Sequence, residues 1–137
     1  MKQDNISIAV DVVVFTKDKK EILLVKRGNN PFRGMWALPG GKMELSETLE
    51  RAAKRELKEE TGIKDVSLRQ LGIFDALKRD SRGRVISVAY LGFVSSNVKI
   101  KAGSDAKEVK WFSLGRLPKL AFDHKKILKY ALRGFGR

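Results

Sequence analysis

The sequence predicts an α/β sandwich, in which helices pack on a mixed β-sheet within one domain. Its 137 residues match the usual size of a single domain. Hydrophobic residues make up 42% of the chain and charged residues 33%, which is enough apolar material for a core and unlike a disordered protein. Apolar, β-branched segments occur together with two helical patterns, which favours strands and helices packed in layers. We expect one domain over residues 1–137.

The predicted elements follow from local patterns along the chain. Apolar and β-branched runs predict strands, and a polar Lys-Asp-Lys-Lys segment predicts the first turn. In order, we expect a buried strand at 6–15, a turn at 17–20, its hairpin partner at 21–27, a loop at 28–34, an extended piece at 35–38 that ends in Pro39-Gly40-Gly41, a helix at 47–61, strands at 66–76, 84–94 and 107–112, and a closing helix at 122–132.

The helix predicted over residues 47–61 has the clearest pattern. Ser46 is the expected N-cap, Glu47 suits the first turn, and Gly62 suits the left-handed conformation that ends a helix. Apolar residues recur every four positions on one face, which we expect to pack against the sheet. These residues are Leu49, Ala53 and Leu57.

The other side of this helix gathers three carboxylates. Glu56, Glu59 and Glu60 are three or four residues apart and therefore converge. Two carboxylates 4 Å apart repel by about 4 kcal/mol at an effective dielectric of 20, so the cluster needs compensating positive charge. Divalent cations would compensate it, and so would salt bridges with the basic residues of the same helix. These are Lys54, Arg55 and Lys58.

The charge of the chain is strongly basic, with 29 Lys and Arg against 16 Asp and Glu, a net charge of +13. Most of the excess lies in the second half. Such a surface attracts nucleotides, nucleic acids or anionic membranes, or simply keeps the protein soluble. The absence of cysteine excludes disulfides, thiolate metal sites and a cysteine nucleophile. We find no signal peptide or membrane-spanning segment and expect a cytoplasmic protein.

The residues around the carboxylate cluster resemble the Nudix box, G-x5-E-x7-R-E-U-x-E-E-x-G-U, where U is aliphatic. Gly41, Glu47, the segment from Arg55 to Glu60, Gly62 and Ile63 match its defined positions, so the box spans residues 41–63. The chain is therefore identified as similar to Nudix hydrolases. This resemblance implies an α/β/α sandwich and Mg²⁺- or Mn²⁺-dependent hydrolysis of a nucleoside diphosphate linked to another moiety.

The same resemblance implies roles for individual residues. Glu56, Glu59 and Glu60 would bind the metal together with the Gly40 carbonyl, and oxygen ligands suit Mg²⁺ or Mn²⁺. Arg55 would pair with Glu47 and hold the helix in register, a structural task shared by the box glycines Gly41 and Gly62. The general base is open, and the candidates are Glu59, Glu60, Asp105 and Glu108.

Two further segments, 80–90 and 120–128, resemble ADP-ribose pyrophosphatases and the Nudix domains of ADP-ribose-sensing regulators. They favour ADP-ribose as substrate, split to AMP and ribose 5-phosphate. Phe32 or Trp36 would stack on the adenine, although packing in the hairpin or core explains each equally well. His124 is assigned either a structural hydrogen bond or a substrate contact, and Asp11 no role. Bidentate phosphate contacts are expected from Arg27, Arg33, Arg79, Arg82 and Arg84.

Two other functions stay open from the sequence. One is a nucleoside triphosphate pyrophosphatase that cleans the nucleotide pool, and the other is an ADP-ribose-sensing or nucleic-acid-binding module. The intact glutamate set favours an enzyme over a sensor, so nucleic acid is a possible partner but not the favoured one. A homodimer is expected only by analogy with the family. The physiological substrate and the number of metal ions are not fixed by the sequence.

Overall fold

A mixed β-sheet lies at the centre of the computed structural model, which describes residues 5–134. The strands and helices are, in chain order, β1 (Ile6–Thr16), β2 (Glu21–Arg27), β3 (Trp36–Ala37), β4 (Gly40–Lys42), α1 (Leu49–Thr61), β5 (Arg69–Phe74), β6 (Arg84–Val94), β7 (Ala106–Ser113) and α2 (His124–Arg133).

Strand β1 organises the sheet because it pairs with three other strands. The main order is β3-β2-β1-β6-β5, with β7 paired to β2 and β4 paired to β1. β1 and β6 run parallel over their full lengths, whereas the other pairs are antiparallel. A parallel pair needs a long crossover connection, and the chain between β1 and β6 includes α1. β1 is buried from Val10 to Thr16, as expected of a strand covered on both faces.

The two faces of the sheet carry separate cores. Val10, Val12 and Val14 of β1 pack with Ala53 and Leu57 of α1. Because side chains alternate along a strand, Val13 and Phe15 face the other way and pack with Ile127, Leu128 and Ala131 of α2. One helix therefore covers each face, which confirms the predicted α/β/α sandwich. Within residues 5–134, no helix combines the length and the apolar character needed to cross a bilayer.

Helix α1 begins two residues later than predicted. Its N-cap is Thr48, whose hydroxyl accepts a hydrogen bond from the Arg51 N–H at 3.3 Å, so the prediction of Ser46 as N-cap was wrong. Glu47 stays outside the helix because its carboxylate accepts the Glu44 N–H at 2.8 Å and pairs with Arg55. Gly62 ends the helix at φ 79°, as predicted.

Three other boundaries differ from the prediction. The glycine approach forms β4, in which Gly40 lies against β1 so closely that a Cβ would be 2.2 Å from the Val10 carbonyl oxygen. β5 starts only at Arg69, because Val66 and Leu68 pack into the core instead of pairing. α2 starts at His124, since Phe122 has a left-handed φ of 53° that a helix does not allow.

Candidate active site

A cleft of about 430 Å³ lies beside β1, β4 and α1. Its other side is formed by the loops that follow β2 and β5 and by the loop that precedes β7. Acidic side chains line the cleft from four places: Asp11 on β1, Glu56 and Glu60 on α1, Asp80 in the loop before β6, and Asp105 in the loop before β7. Guanidinium groups line it as well. The cleft thus combines opposite charges in a space large enough for a small ligand.

Glu60 is the acid with the most perturbed surroundings. Its Oε1 accepts a hydrogen bond from the Gly40 N–H at 2.9 Å. Burial raises the pKa of Glu60 to about 8, and the nearby carboxylates of Glu56, Asp11 and Asp105 act in the same direction. The ionised form of Glu60 is therefore disfavoured here, although Arg27 attracts it.

Glu56 lies beside the second glycine of β4. A Cβ on Gly41 would be 2.6 to 2.8 Å from the Glu56 carboxylate, so only glycine fits there without displacing that side chain. Burial raises the pKa of Glu56, although Arg55 partly offsets the effect through a hydrogen bond of 2.6 Å. The two glycines thus let two carboxylates approach the backbone of β4.

Arg55 connects the acids on the outer side of the cleft. Its guanidinium forms a bidentate pair with Glu47, at 2.8 Å from Nε and 2.6 Å from Nη2, and Nη2 also donates to the Lys42 carbonyl. Hydrogen bonds from Arg55 hold the pKa of Glu47 down at about 2, and Glu47 raises the pKa of Arg55 in return. Glu59 also contacts Arg55, at 3.0 Å, with 45% of its side chain exposed. The structure thus places Glu59 outside the cleft lining.

The oxygen atoms of the cleft fit a hard divalent cation. Within residues 5–134, no three Asp, Glu or His side chains form one metal-binding group. Mg²⁺, however, commonly binds proteins through one or two carboxylates and completes its shell with waters and substrate phosphates. Glu56 and Glu60 supply two carboxylates beside the Gly40 backbone, and a cation would add positive charge beside Glu60. The cleft residues therefore fit a bound Mg²⁺ or Mn²⁺ ion.

The two acidic candidates for a base outside the box differ in position. Asp105 lines the cleft, in a loop whose carbonyl accepts the Gly28 N–H at 3.1 Å. Glu108 lies on β7 with 57% of its side chain exposed and pairs loosely with Lys26 at 3.9 Å. Only Asp105 of these two is near the carboxylates of α1.

Three of the seven predicted substrate-binding residues line the cleft. They are Arg27, Arg79 and Arg82, whereas the other four do not line it. Trp36 packs edge-on against Phe112 with ring centres 4.7 Å apart. The remaining three are Phe32, which is 39% exposed, Arg33, which is exposed, and Arg84, which donates to the carbonyls of Asp75 and Ala76.

Phe122 is a cleft residue that the sequence did not indicate. Its ring lies 4.9 Å from the Arg27 guanidinium and 5.6 Å from that of Arg82, and Phe32 contacts it edge-on at 4.8 Å. Its left-handed backbone presents the ring to the cleft. Arg82 is further fixed by a bidentate pair with Asp80, which lowers the pKa of that carboxyl.

A buried polar network at the base of the cleft joins residues that the sequence analysis considered one by one. Asp11 lies 3.2 Å from Nε2 of His124 and 3.6 Å from Nη2 of Arg79, and it accepts the Ser87 hydroxyl. Burial acts to raise the pKa of Asp11, but these contacts outweigh it and the pKa lies below its ordinary value. Arg79 also forms a bidentate pair with Asp123, at 2.7 and 3.0 Å. The structure gives His124 the structural hydrogen bond that was one of its two expected roles, but the sequence did not indicate that His124, Arg79 and Asp11 meet.

Comparisons with known proteins place this architecture in a family. The NUDIX domain pattern matches residues 6–131. The chain is 50% identical over 127 residues to an ADP-ribose pyrophosphatase of Methanocaldococcus jannaschii, covering 93% of this chain and 73% of that protein.

Two solved structures have the same fold. The NUDIX domain of Shewanella oneidensis NrtR complexed with ADP ribose has a TM-score of 0.86 and 33% identity, covering 98% of this chain and 90% of that one. A bifunctional NMN adenylyltransferase/ADP ribose pyrophosphatase from Francisella tularensis, complexed with AMP and a Mn ion, has a TM-score of 0.84 and 33% identity. The match covers 98% of this chain and 43% of that one. The chain therefore belongs to the NUDIX domain family.

Proposed function

We propose that this protein hydrolyses ADP-ribose to AMP and ribose 5-phosphate in the cleft that Glu56, Glu60 and Arg27 share. The observation that carries the proposal is the combination of two carboxylates on one wall with guanidinium groups on another. A diphosphate brings negative charge that the guanidiniums bind, and a cation on the carboxylates neutralises the rest. Similarity to a protein named ADP-ribose pyrophosphatase and to a NUDIX domain with bound ADP ribose supports this substrate.

Mg²⁺ or Mn²⁺ is the proposed cofactor, held by Glu56, Glu60 and the Gly40 carbonyl. When bound, the cation would stabilise the negative charge that develops on the diphosphate during hydrolysis. Gly41 contributes by leaving room for the Glu56 carboxylate, and Gly40 by letting β4 lie close to Val10 and Asp11 of β1. Glu59 is proposed to act indirectly, because Arg55 pairs with both Glu56 and Glu59. The contact with Glu59 would weaken the attraction between Arg55 and Glu56.

Arg27 is the proposed main phosphate contact. Arg79 is already neutralised by Asp123 and Asp11, and Arg82 by Asp80. Within residues 5–134, Arg27 forms no ion pair, and its Nε donates to the Pro31 carbonyl at 2.7 Å. Burial and then the neighbouring Arg82 lower the pKa of Arg27, although nearby acids act to raise it, and an anion placed beside Arg27 would further offset the lowering.

Asp105 is the proposed general base. It lines the same cleft as the two metal-binding glutamates, where a carboxylate can accept a proton from the attacking water. Glu60 serves the cation in this scheme, and Glu108 takes no part because it lies on the exposed surface of β7. Phe122 is proposed to contact the nucleoside, since its ring lines the cleft beside the guanidinium groups of Arg27 and Arg82.

A substrate panel with product identification tests the proposal. ADP-ribose should give AMP and ribose 5-phosphate with a higher kcat/KM than any nucleoside triphosphate. Release of pyrophosphate from a triphosphate at a higher kcat/KM would replace the proposal with the pyrophosphatase function. We also propose a cytoplasmic homodimer, which light scattering in solution and fractionation of cells would test.

A further inference from the structure

The Asp11–His124 pair connects helix α2 to the backbone that carries Gly40. Both side chains are almost fully buried, and they come from opposite ends of the chain, β1 and the first turn of α2. His124 Nδ1 accepts a hydrogen bond from the Leu38 N–H at 3.0 Å. Since Nδ1 is an acceptor, the ring hydrogen is on Nε2, which donates to Asp11 Oδ1 at 3.2 Å.

Asp11 is itself held in one orientation. Its second carboxylate oxygen accepts the Ser87 hydroxyl from the parallel neighbour β6, and Arg79 lies 3.6 Å away. Its first oxygen lies 2.6 Å from where a Cβ of Gly40 would be. The carboxylate therefore fixes the imidazole on one side and packs against Gly40 on the other.

Within residues 5–134, three hydrogen bonds hold the segment from Leu38 to Gly40, in addition to the pairing of Gly40 with Asp11 between β4 and β1. The Pro39 carbonyl accepts the Val12 N–H at 2.8 Å, and the Gly40 N–H donates to Glu60 at 2.9 Å. The third is the His124 bond to Leu38, and it is the one made by a side chain from outside β1 and α1. Loss of that bond would let the segment shift relative to Glu60 without changing any residue of the box.

We propose that His124, oriented by Asp11, is a positioning residue that fixes the Leu38–Gly40 segment against Glu60. It does not touch the reacting atoms. The inference rests on the proposed function, because it concerns the backbone that would present the Gly40 carbonyl to a cation. A shift of about 1 Å in such a segment costs on the order of 100-fold in rate.

Three variants separate positioning from simple stability. His124→Phe removes both hydrogen bonds and keeps a ring. His124→Asn places an oxygen near the Nδ1 position, so it can still accept the Leu38 N–H. Thr16→Val is the matched control, because the buried Thr16 hydroxyl donates to Asp18 and accepts the Glu21 N–H in part-buried hydrogen bonds at the far end of β1.

Two activity-independent measurements are combined with steady-state kinetics on ADP-ribose. Amide exchange at Leu38 and Gly40 is followed by NMR, and the Mn²⁺ dissociation constant by electron paramagnetic resonance. For His124→Phe we expect exchange at both amides to accelerate at least about 10-fold, Mn²⁺ affinity to fall about 10-fold, and kcat to fall about 10- to 100-fold with KM within about 3-fold. His124→Asn should recover part of each loss, and Thr16→Val should lower the melting temperature without changing the three values.

Each other outcome has a defined meaning. If His124→Phe changes exchange and kcat no more than Thr16→Val does, the positioning role is overturned. If the wild type binds Mn²⁺ but does not hydrolyse ADP-ribose, the proposed substrate fails, and the exchange and Mn²⁺ data decide on His124 alone. If the wild type binds no Mn²⁺, both proposals are overturned.

Discussion

Replacing Glu60 with Gln should make the cation-free protein more stable while it removes activity. The substitution keeps an oxygen that can accept the Gly40 N–H but deletes the negative charge. With the folded-state pKa of Glu60 raised from 4.5 to about 8, ionisation at pH 7 costs the folded state about 3 kcal/mol. Allowing for the weaker hydrogen bond of an amide, we expect a gain of about 1 to 3 kcal/mol, or about 3 to 10 °C in melting temperature.

The pH dependence of folding stability sets the direction of the expected change in the Glu60→Gln variant. Between pH 4.5 and 8 the folded protein binds more protons at Glu60 than the unfolded chain does, so this group makes stability fall as the pH rises. The Glu60→Gln variant does not have this pH-dependent loss of stability. Its stability advantage should therefore be small near pH 5 and grow to its full size above pH 8.

Denaturant unfolding in EDTA from pH 5 to 9, together with kcat in Mg²⁺, measures both effects. We expect kcat to fall at least about 100-fold. Glu50→Gln is the matched control, since it removes an exposed carboxylate of the same helix that pairs with Lys54 at 3.3 Å. A Glu60→Gln variant that is no more stable than the wild type at pH 8, or that keeps near wild-type turnover, would refute the reasoning.

The remaining predictions concern the phosphate contact, the cation and the glycines. Arg27→Ala should raise KM for ADP-ribose at least about 10-fold, whereas Arg33→Ala, at an exposed position, should leave it within about 2-fold. EDTA should abolish turnover and Mg²⁺ or Mn²⁺ should restore it, and metal-independent turnover would contradict the proposed site. Gly41→Ala should lose most activity because its Cβ displaces Glu56, in contrast to Gly115→Ala, whose Cβ would have its nearest neighbour 3.8 Å away; equal activities would show that the space at Gly41 is not needed.

The sequence was most informative where structure depends on near neighbours in the chain. The helix now called α1 follows from four-residue spacing, and the parallel core strand β1 follows from a continuous apolar run. The N-cap was misplaced by two residues because Ser46 and Thr48 are both good caps. What decides between them is Glu47, which bonds to Glu44 and Arg55 instead of entering the helix.

The sequence did not predict contacts between distant parts of the chain. Asp11 meets Ser87 across 76 positions, and Leu38 meets His124 across 86. No periodic pattern links such pairs, so a lone acid in β1 and a lone histidine at the start of α2 carried no visible connection. The turn at Phe122 was missed for a related reason, since a left-handed φ at a phenylalanine is uncommon and no local rule predicts it.

The glutamates of α1 show that salt bridges, one of the two compensations considered from the sequence, operate at Glu56 and Glu59. Arg55 neutralises Glu56 and Glu59 on the outer side of the helix, at 2.6 and 3.0 Å. Within the described part of the chain, Glu60 forms no ion pair with Lys or Arg, and its one close polar contact is the Gly40 N–H. Arg27 attracts Glu60 electrostatically, yet burial and the nearby acids still raise the pKa of Glu60 to about 8. Because ionised Glu60 costs stability in the cation-free protein, we infer that further positive charge arrives with a ligand, and the opposite responses of stability and activity to Glu60→Gln test this directly.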